Sequence, residues 1–273
     1  MAAHPSPVFV CTDPLRVAHP FVWLAPAKSS HGERYTLRAG NEANAGPMQQ
    51  LPRLYPILDT SCFAGPEALF RAAEEMIGAG VMLLQYRNKS GNAREMLEQA
   101  RELRQRISSH PNVAKDATLE WGTQPTLGSD TRATLIMNDR ADLCLAAEFE
   151  GVHVGQDDLS AEAARKIIGP TRWLGVSTHN PEQVAEADQT SADYIAIGPV
   201  FATASKANPD PAIGLEGVRR ARALTRKPLV AIGGITRANC GSVIEAGADS
   251  VAVISDLLRE PGKSAEEFLR ILM

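Results

Sequence analysis

VMLLQYRNKSGNAREMLEQARELRQRI (residues 81–107) changes its period half-way. The first part, VMLLQYR (81–87), is a short apolar run that turns polar at its end. The second, NAREMLEQARELRQRI (92–107), brings Met96, Ala100, Leu103 and Ile107 onto one stripe of a helix. A strand followed by an amphipathic helix is one β/α unit. A strand that is apolar on both faces needs cover on both faces, which is the condition of an all-parallel sheet.

The same unit repeats in both directions along the chain. Upstream, RLYPILD (53–59) reads as a strand. The helix PEALFRAAEEMIGAG (66–80) follows, with Leu69, Ala72, Ala73, Met76 and Ile77 inward. Downstream, the strands TLIMND (134–139), GVHVG (151–155), WLGVS (173–177), DYIAIG (193–198), PLVAIGG (228–234) and SVAVIS (250–255) each precede a helical segment. Eight such units between residue 51 and the C-terminus predict an α/β protein of the (β/α)8 TIM-barrel class. A doubly wound open sheet is the alternative; it fits less well because no GxGxxG follows the first strand.

Outside the repeat lie three exceptions. Residues 1–50 show no sustained period, carry Pro5, Pro7, Pro14, Pro20 and Pro26, and end in AGNEANAG. We read them as a poorly ordered extension preceding a single catalytic barrel over 51–273, with Met48 as an alternative start of the working chain. Residues 108–133 join a helix to the next strand and so fall on the face of a barrel away from chemistry. Residues 199–214 follow the sixth strand on the catalytic face, where a loop of this length predicts a lid.

Composition narrows the function. A formal charge of −4 gives no reason to expect binding to nucleic acid or an anionic membrane. Cys11, Cys62, Cys144 and Cys240 are far apart and at no zinc spacing. No apolar run approaches the ~20 residues of a membrane span, and no basic segment followed by an apolar one opens the chain. A cytoplasmic location is the expectation, with a homo-oligomer left open.

The chemistry gathers where strands end. Gln85, Arg87 and Lys89 alternate at the end of strand two, so they share a face. Asn138 and Asp139 end strand three, Gln156, Asp157 and Asp158 strand four, and Ser177, Thr178 and His179 strand five. Strand six runs into Thr203, Ser205 and Lys206, strand seven into Gly233 and Gly234, and strand eight into Ser255 and Asp256. A barrel brings all these ends to one mouth. Three cations need anionic partners, either internal carboxylates or a polyanionic ligand. Asp139 and Asp158 offer hard oxygen ligands suited to Mg2+ beside phosphate oxygens. IGGIT (232–236) and VIS (253–255) expose backbone N–H groups where barrel enzymes commonly hold a phosphate. Simpler roles compete residue by residue: Arg87 could pair with Asp139, Asp157 and Asp158 could cap a helix, His179 could be a hydrogen-bonded structural residue, and His153 reads as a satisfied core residue.

QYRNK, MNDR, GVHVGQDD, GVSTHN, GPVFATASK, AIGGIT and GADSVAVIS occur in this order. Together they resemble the thiamine-phosphate synthase family, also called thiamine-phosphate pyrophosphorylase, from about Leu51 to the C-terminus. The resemblance implies small-molecule substrates: a hydroxymethylpyrimidine diphosphate and a thiazole phosphate, in some members carboxylated. It implies thiamine phosphate and pyrophosphate as products and Mg2+ as cofactor. By the same resemblance, Gln85, Arg87 and Lys89 form the pyrimidine-diphosphate segment, and Asn138 and Ser177 lie on the diphosphate side. Asp139 and Asp158 become the metal ligands, and Thr203, Ser205 and Lys206 the T-x-T-K loop. Gly234, Ile254 and Ser255 belong to the thiazole-phosphate site. Arg87, Lys89, Lys206 and Ser177 are the candidate catalytic set. Ser205 stands where the family usually has threonine, and Ala231 where it often has glycine.

Two other readings remain. A thiazole tautomerase-like barrel would use His179 as an acid–base group and would need neither the Mg2+ pair nor both cationic segments. A non-catalytic phosphate-binding barrel would keep IGGI without a reason to keep metal ligands.

Overall fold

The structure is a computed structural model that describes residues 51–111, 133–203 and 211–273. The extension 1–50 with Met48, most of the 108–133 connection, and the central part of the expected lid with Ser205 and Lys206 lie outside the described residues.

Eight parallel strands close on themselves in sequence order, β8 pairing with β1. They are β1 (Leu54–Asp59), β2 (Leu83–Arg87), β3 (Thr134–Asn138), β4 (Gly151–Val154), β5 (Trp173–Thr178), β6 (Tyr194–Ile197), β7 (Leu229–Ile232) and β8 (Ser250–Val253). A helix follows each: α1 (Pro66–Gly78), α2 (Ala93–Ser108), α3 (Ala141–Ala146), α4 (Ala161–Ile168), α5 (Pro181–Asp188), α6 (Gly214–Leu224), α7 (Cys240–Glu245) and α8 (Pro261–Leu272). This is the (β/α)8 barrel expected from the repeat. No helix among the described residues is long and apolar enough to cross a membrane.

Local signals set the helix starts. Asn92 Oδ1 accepts the Glu95 N–H at 3.0 Å to cap α2, and Asn180 Oδ1 accepts the Gln183 N–H at 2.8 Å ahead of Pro181 in α5. The expected stripe of α2 is the buried one: Met96, Ala100, Leu103 and Ile107. In α1, Phe70 joins the five predicted residues. Two starts differ from the segments TRANCGSVIEAG (236–247) and SAEEFLRILM (264–273) that read as helical in the sequence. The last helix begins at Pro261, and α7 begins only at Cys240. Before α7, Thr236–Asn239 form a turn in which Asn239 Oδ1 accepts the Thr236 N–H. That side chain competes with helical pairing of the backbone.

Strand alternation divides the apolar residues into two cores. One set faces the helices. The other fills the barrel with Leu51, Tyr55, Ile57, Leu83, Ile136, Trp173, Tyr194, Ala196, Val230 and Ala252. Glycine makes room for the aromatic rings. A Cβ at Gly175 would lie 2.1 Å from Tyr194 Cζ, and one at Gly151 would lie 2.5 Å from Trp173 Cβ.

The bottom of the barrel carries one device three times. Glu150, Asp193 and Asp249, each just before an even-numbered strand, accept the backbone N–H of Leu135, Leu174 and Leu229 in the preceding strand. Their own N–H groups donate back to the carbonyls of the same three leucines. Each carboxylate is then paired by an arginine of an even-numbered helix: Arg104, Arg165 and Arg222. These clamps fix neighbouring strand starts, so charge at this face serves stability and leaves the opposite rim for chemistry.

Candidate active site

At the C-terminal rim, Gln85, Arg87 and Lys89 leave β2 on one face, at increasing height. Gln85 is buried inside the barrel, Arg87 is half-buried, and Lys89 is about half exposed. Arg87 is held by Asp59, its register partner at the end of β1. Asp59 also accepts from the Ser61 N–H at 3.0 Å and the Ser61 hydroxyl at 2.7 Å. The simpler pairing considered from sequence, Arg87 with Asp139, is therefore not the one formed. Sequence reading passed over Asp59; the available signal was a carboxylate closing β1 in step with a cation closing β2.

Asp139 pairs with Lys89 instead, at 2.5 Å. Its backbone adopts φ 61°, the left-handed region that Asp tolerates better than most residues. Its N–H donates to the His153 carbonyl at 2.7 Å, which ties the β3 turn to β4. Asp158 reaches the same place from the β4 turn, where it accepts the Gly155 N–H at 2.8 Å. It does not cap α4; Ser160 does.

The two carboxyls influence each other's ionisation. Burial raises the Asp139 pKa above the usual carboxylate range, with Asp158 adding to the rise and Lys89 opposing it. For Asp158 burial acts in the same direction, but bonds from Asp139 and Gly155 and the Lys89 charge outweigh it, so its pKa is lowered. Two acids whose ionisations oppose each other in this way would be relieved by a divalent cation. Beside them, the Asn138 Nδ2 is buried without a hydrogen-bond partner. An unmatched donor at that depth suits an anionic ligand oxygen.

Ser177 ends β5 at the same rim. Its Oγ lies 2.8 Å from His153 Nε2, and His153 Nδ1 lies 3.0 Å from Tyr194 Oη. Tyr194 Oη is 3.0 Å from Tyr55 Oη, which accepts the Gln85 Nε2–H at 2.9 Å. A chain of buried polar groups thus joins Gln85 to Ser177 through the barrel. Burial pushes the His153 pKa down to about 4 and both phenols well above their ordinary range. His153 is the satisfied interior histidine expected, although sequence did not reveal its partners. His179 is also bonded, its Nδ1 2.8 Å from the Gly198 carbonyl oxygen.

Across the mouth, Gly233 (φ 100°) and Gly234 (φ 62°) turn the chain after β7. A Cβ on Gly234 would lie 2.6 Å from the Ala202 oxygen and 2.8 Å from Phe201 Cβ. Arg237 binds Asp256 through its backbone N–H at 2.8 Å and its Nε at 3.0 Å, fastening this turn to the one containing Ile254 and Ser255. Thr203 is described and half-buried; the companion groups Ser205 and Lys206 lie outside the described residues.

Comparison with known proteins gives a consistent result. A family model described as thiamine monophosphate synthase matches residues 123–257. A Koribacter versatilis protein named thiamine-phosphate synthase is 56% identical over 227 residues, covering 82% of this chain and 97% of its own. One of the same name from Chloroflexus aurantiacus is 40% identical, covering 74% and 83%. The solved thiamine phosphate pyrophosphorylase from Pyrococcus furiosus superposes with a TM-score of 0.64 at 32% identity, covering 81% of this chain and 95% of that one.

Proposed function

The chain belongs to the thiamine-phosphate synthase family, transferases that form thiamine phosphate, and from that premise we propose how its rim performs the transfer. The substrates are 4-amino-2-methyl-5-hydroxymethylpyrimidine diphosphate and a thiazole phosphate. The bond from the pyrimidine methylene carbon to the diphosphate oxygen breaks, and pyrophosphate leaves with the electron pair. The thiazole nitrogen then donates its own pair to the methylene, forming the new C–N bond. No protein nucleophile is required, because the electron-rich ring supports the cationic methylene. Positioning and charge neutralisation supply the rate.

The observation that carries this reading is the meeting of Lys89, Asp139 and Asp158 from three successive strand ends, beside the unmatched Asn138 donor. Asp139 and Asp158 would hold Mg2+, which when bound neutralises diphosphate charge. Arg87 and Lys89 present cations to the same oxygens, and the resemblance to the family assigns Lys206 a like role. The turns of Gly234, Ile254 and Ser255 offer backbone donors to the thiazole phosphate.

Incubation of the protein with both substrates and Mg2+ tests the reading. Thiamine phosphate and pyrophosphate should appear in equal amounts. Thiazole isomerisation without pyrophosphate release, or phosphate binding with no turnover, would replace it with one of the two rival readings.

A further inference from the structure

The polar chain through the barrel has a direction that proton counting fixes. The Gln85 amide nitrogen only donates, so the Tyr55 oxygen accepts from it. Tyr55 has one proton, and its one other partner in the chain is the Tyr194 oxygen, 3.0 Å away. If Tyr194 donated to Tyr55 instead, the Tyr55 proton would be left unmatched in a buried position, which is costly. Tyr194 therefore receives from Tyr55 and gives its own proton to His153 Nδ1. A neutral imidazole accepting at Nδ1 carries its proton on Nε2, which faces Ser177 Oγ at 2.8 Å. Ser177 is thereby made the acceptor, and its own proton is free to point into the mouth.

We propose that Tyr55, Tyr194 and His153 form a one-way hydrogen-bond relay that fixes Ser177 as a donor toward an anionic ligand oxygen. They are positioning residues: none reaches the rim, and they act through the serine. The packing is built for the relay. The Tyr194 ring stacks on the imidazole with centroids 5.5 Å apart, and Gly175 leaves the space both rings occupy, since a Cβ there would lie 2.4 Å from His153 Nδ1. The consequence for turnover rests on the proposed transfer reaction; the direction of the relay does not.

Two measurements decide it. In protein labelled with 15N-histidine, the His153 resonance, assigned by its loss in His153→Gln, should report a neutral ring protonated at Nε2 at pH 7. Inorganic pyrophosphate should leave that tautomer unchanged. A ring protonated at Nδ1, or an imidazolium, overturns the relay.

The second measurement is a double-mutant cycle. Tyr194→Phe keeps the stacked ring and should lower kcat about tenfold, the worth of roughly one ordinary hydrogen bond. In the Ser177→Ala background it should cost less than about twofold, because the group it positions is gone. Equal losses in both backgrounds would mean that Tyr194 supports the fold alone and would refute the proposal. Should Tyr194→Phe fail to fold, the tautomer of the unmutated protein still decides. A correct tautomer in a protein that makes no thiamine phosphate would fault the functional reading and spare the relay.

Discussion

Lys89 Nζ lies 2.5 Å from Oδ2 of Asp139, a contact between the ends of two adjacent strands at the mouth of the barrel. The lysine is about half exposed and the aspartate largely sheltered, so the pair forms the boundary between solvent and site. Removing the ammonium would take away the cation that we propose meets a ligand's phosphate oxygens. Lys89→Ala should lower kcat by ~10²–10³, in line with loss of one preorganised donor to a developing oxyanion. Lys89→Arg should recover part of it. Steady-state kinetics on both variants gives the answer, and wild-type turnover in Lys89→Ala would remove the lysine from the reaction.

Arg87 depends on a partner that only the fold provides. Asp59 is buried and anchors both the guanidinium and the Ser61 turn. Asp59→Ala should destabilise the protein by ~2 kcal/mol, read from urea unfolding, because a charged hydrogen-bonding partner is lost. It should also reduce turnover in the same direction as Arg87→Ala, for which a loss well above tenfold is expected.

A single substitution at Gly234 tests the proposed thiazole-phosphate site against the proposed diphosphate site. Gly234→Ala would place a methyl against Ala202 and Phe201 at a backbone angle that L-residues seldom adopt. The turn should deform, raising KM for the thiazole phosphate about tenfold, while KM for the pyrimidine diphosphate stays within about twofold. This corresponds to ~1.4 kcal/mol of lost binding. A rise confined to the diphosphate substrate would reassign the turn.

Metal removal tests the paired carboxylates. Excess chelator should abolish turnover, and added Mg2+ should restore it. Asp158→Asn should demand a higher Mg2+ concentration for half-maximal rate. Full activity in chelator would leave Asp139 and Asp158 without the proposed role.

The opposite face should behave differently. Arg165 donates to the carbonyls of Gly169, Arg172 and Ser191 and to Asp193. Arg165→Met should cost ~2 kcal/mol, and so lower Tm by ~4–8 °C. Activity at low temperature should remain near wild type.

What the sequence by itself determined was local. Eight apolar runs alternating with helical stripes required a parallel sheet covered by helices, and the polar break at each strand end named the rim. Those signals survive without tertiary contacts because period, capping and turn residues act over a few positions. The partners were a different matter. Nothing near Arg87 selects Asp59 over Asp139; the pairing of β1 with β2 does, by setting Asp59 in register with Arg87. Likewise, Tyr55 and Tyr194 are 139 residues apart and meet only because opposite walls face one interior. Which charges pair, and which way a buried hydrogen-bond chain runs, is decided by desolvation inside a closed space, where every polar group must find a partner.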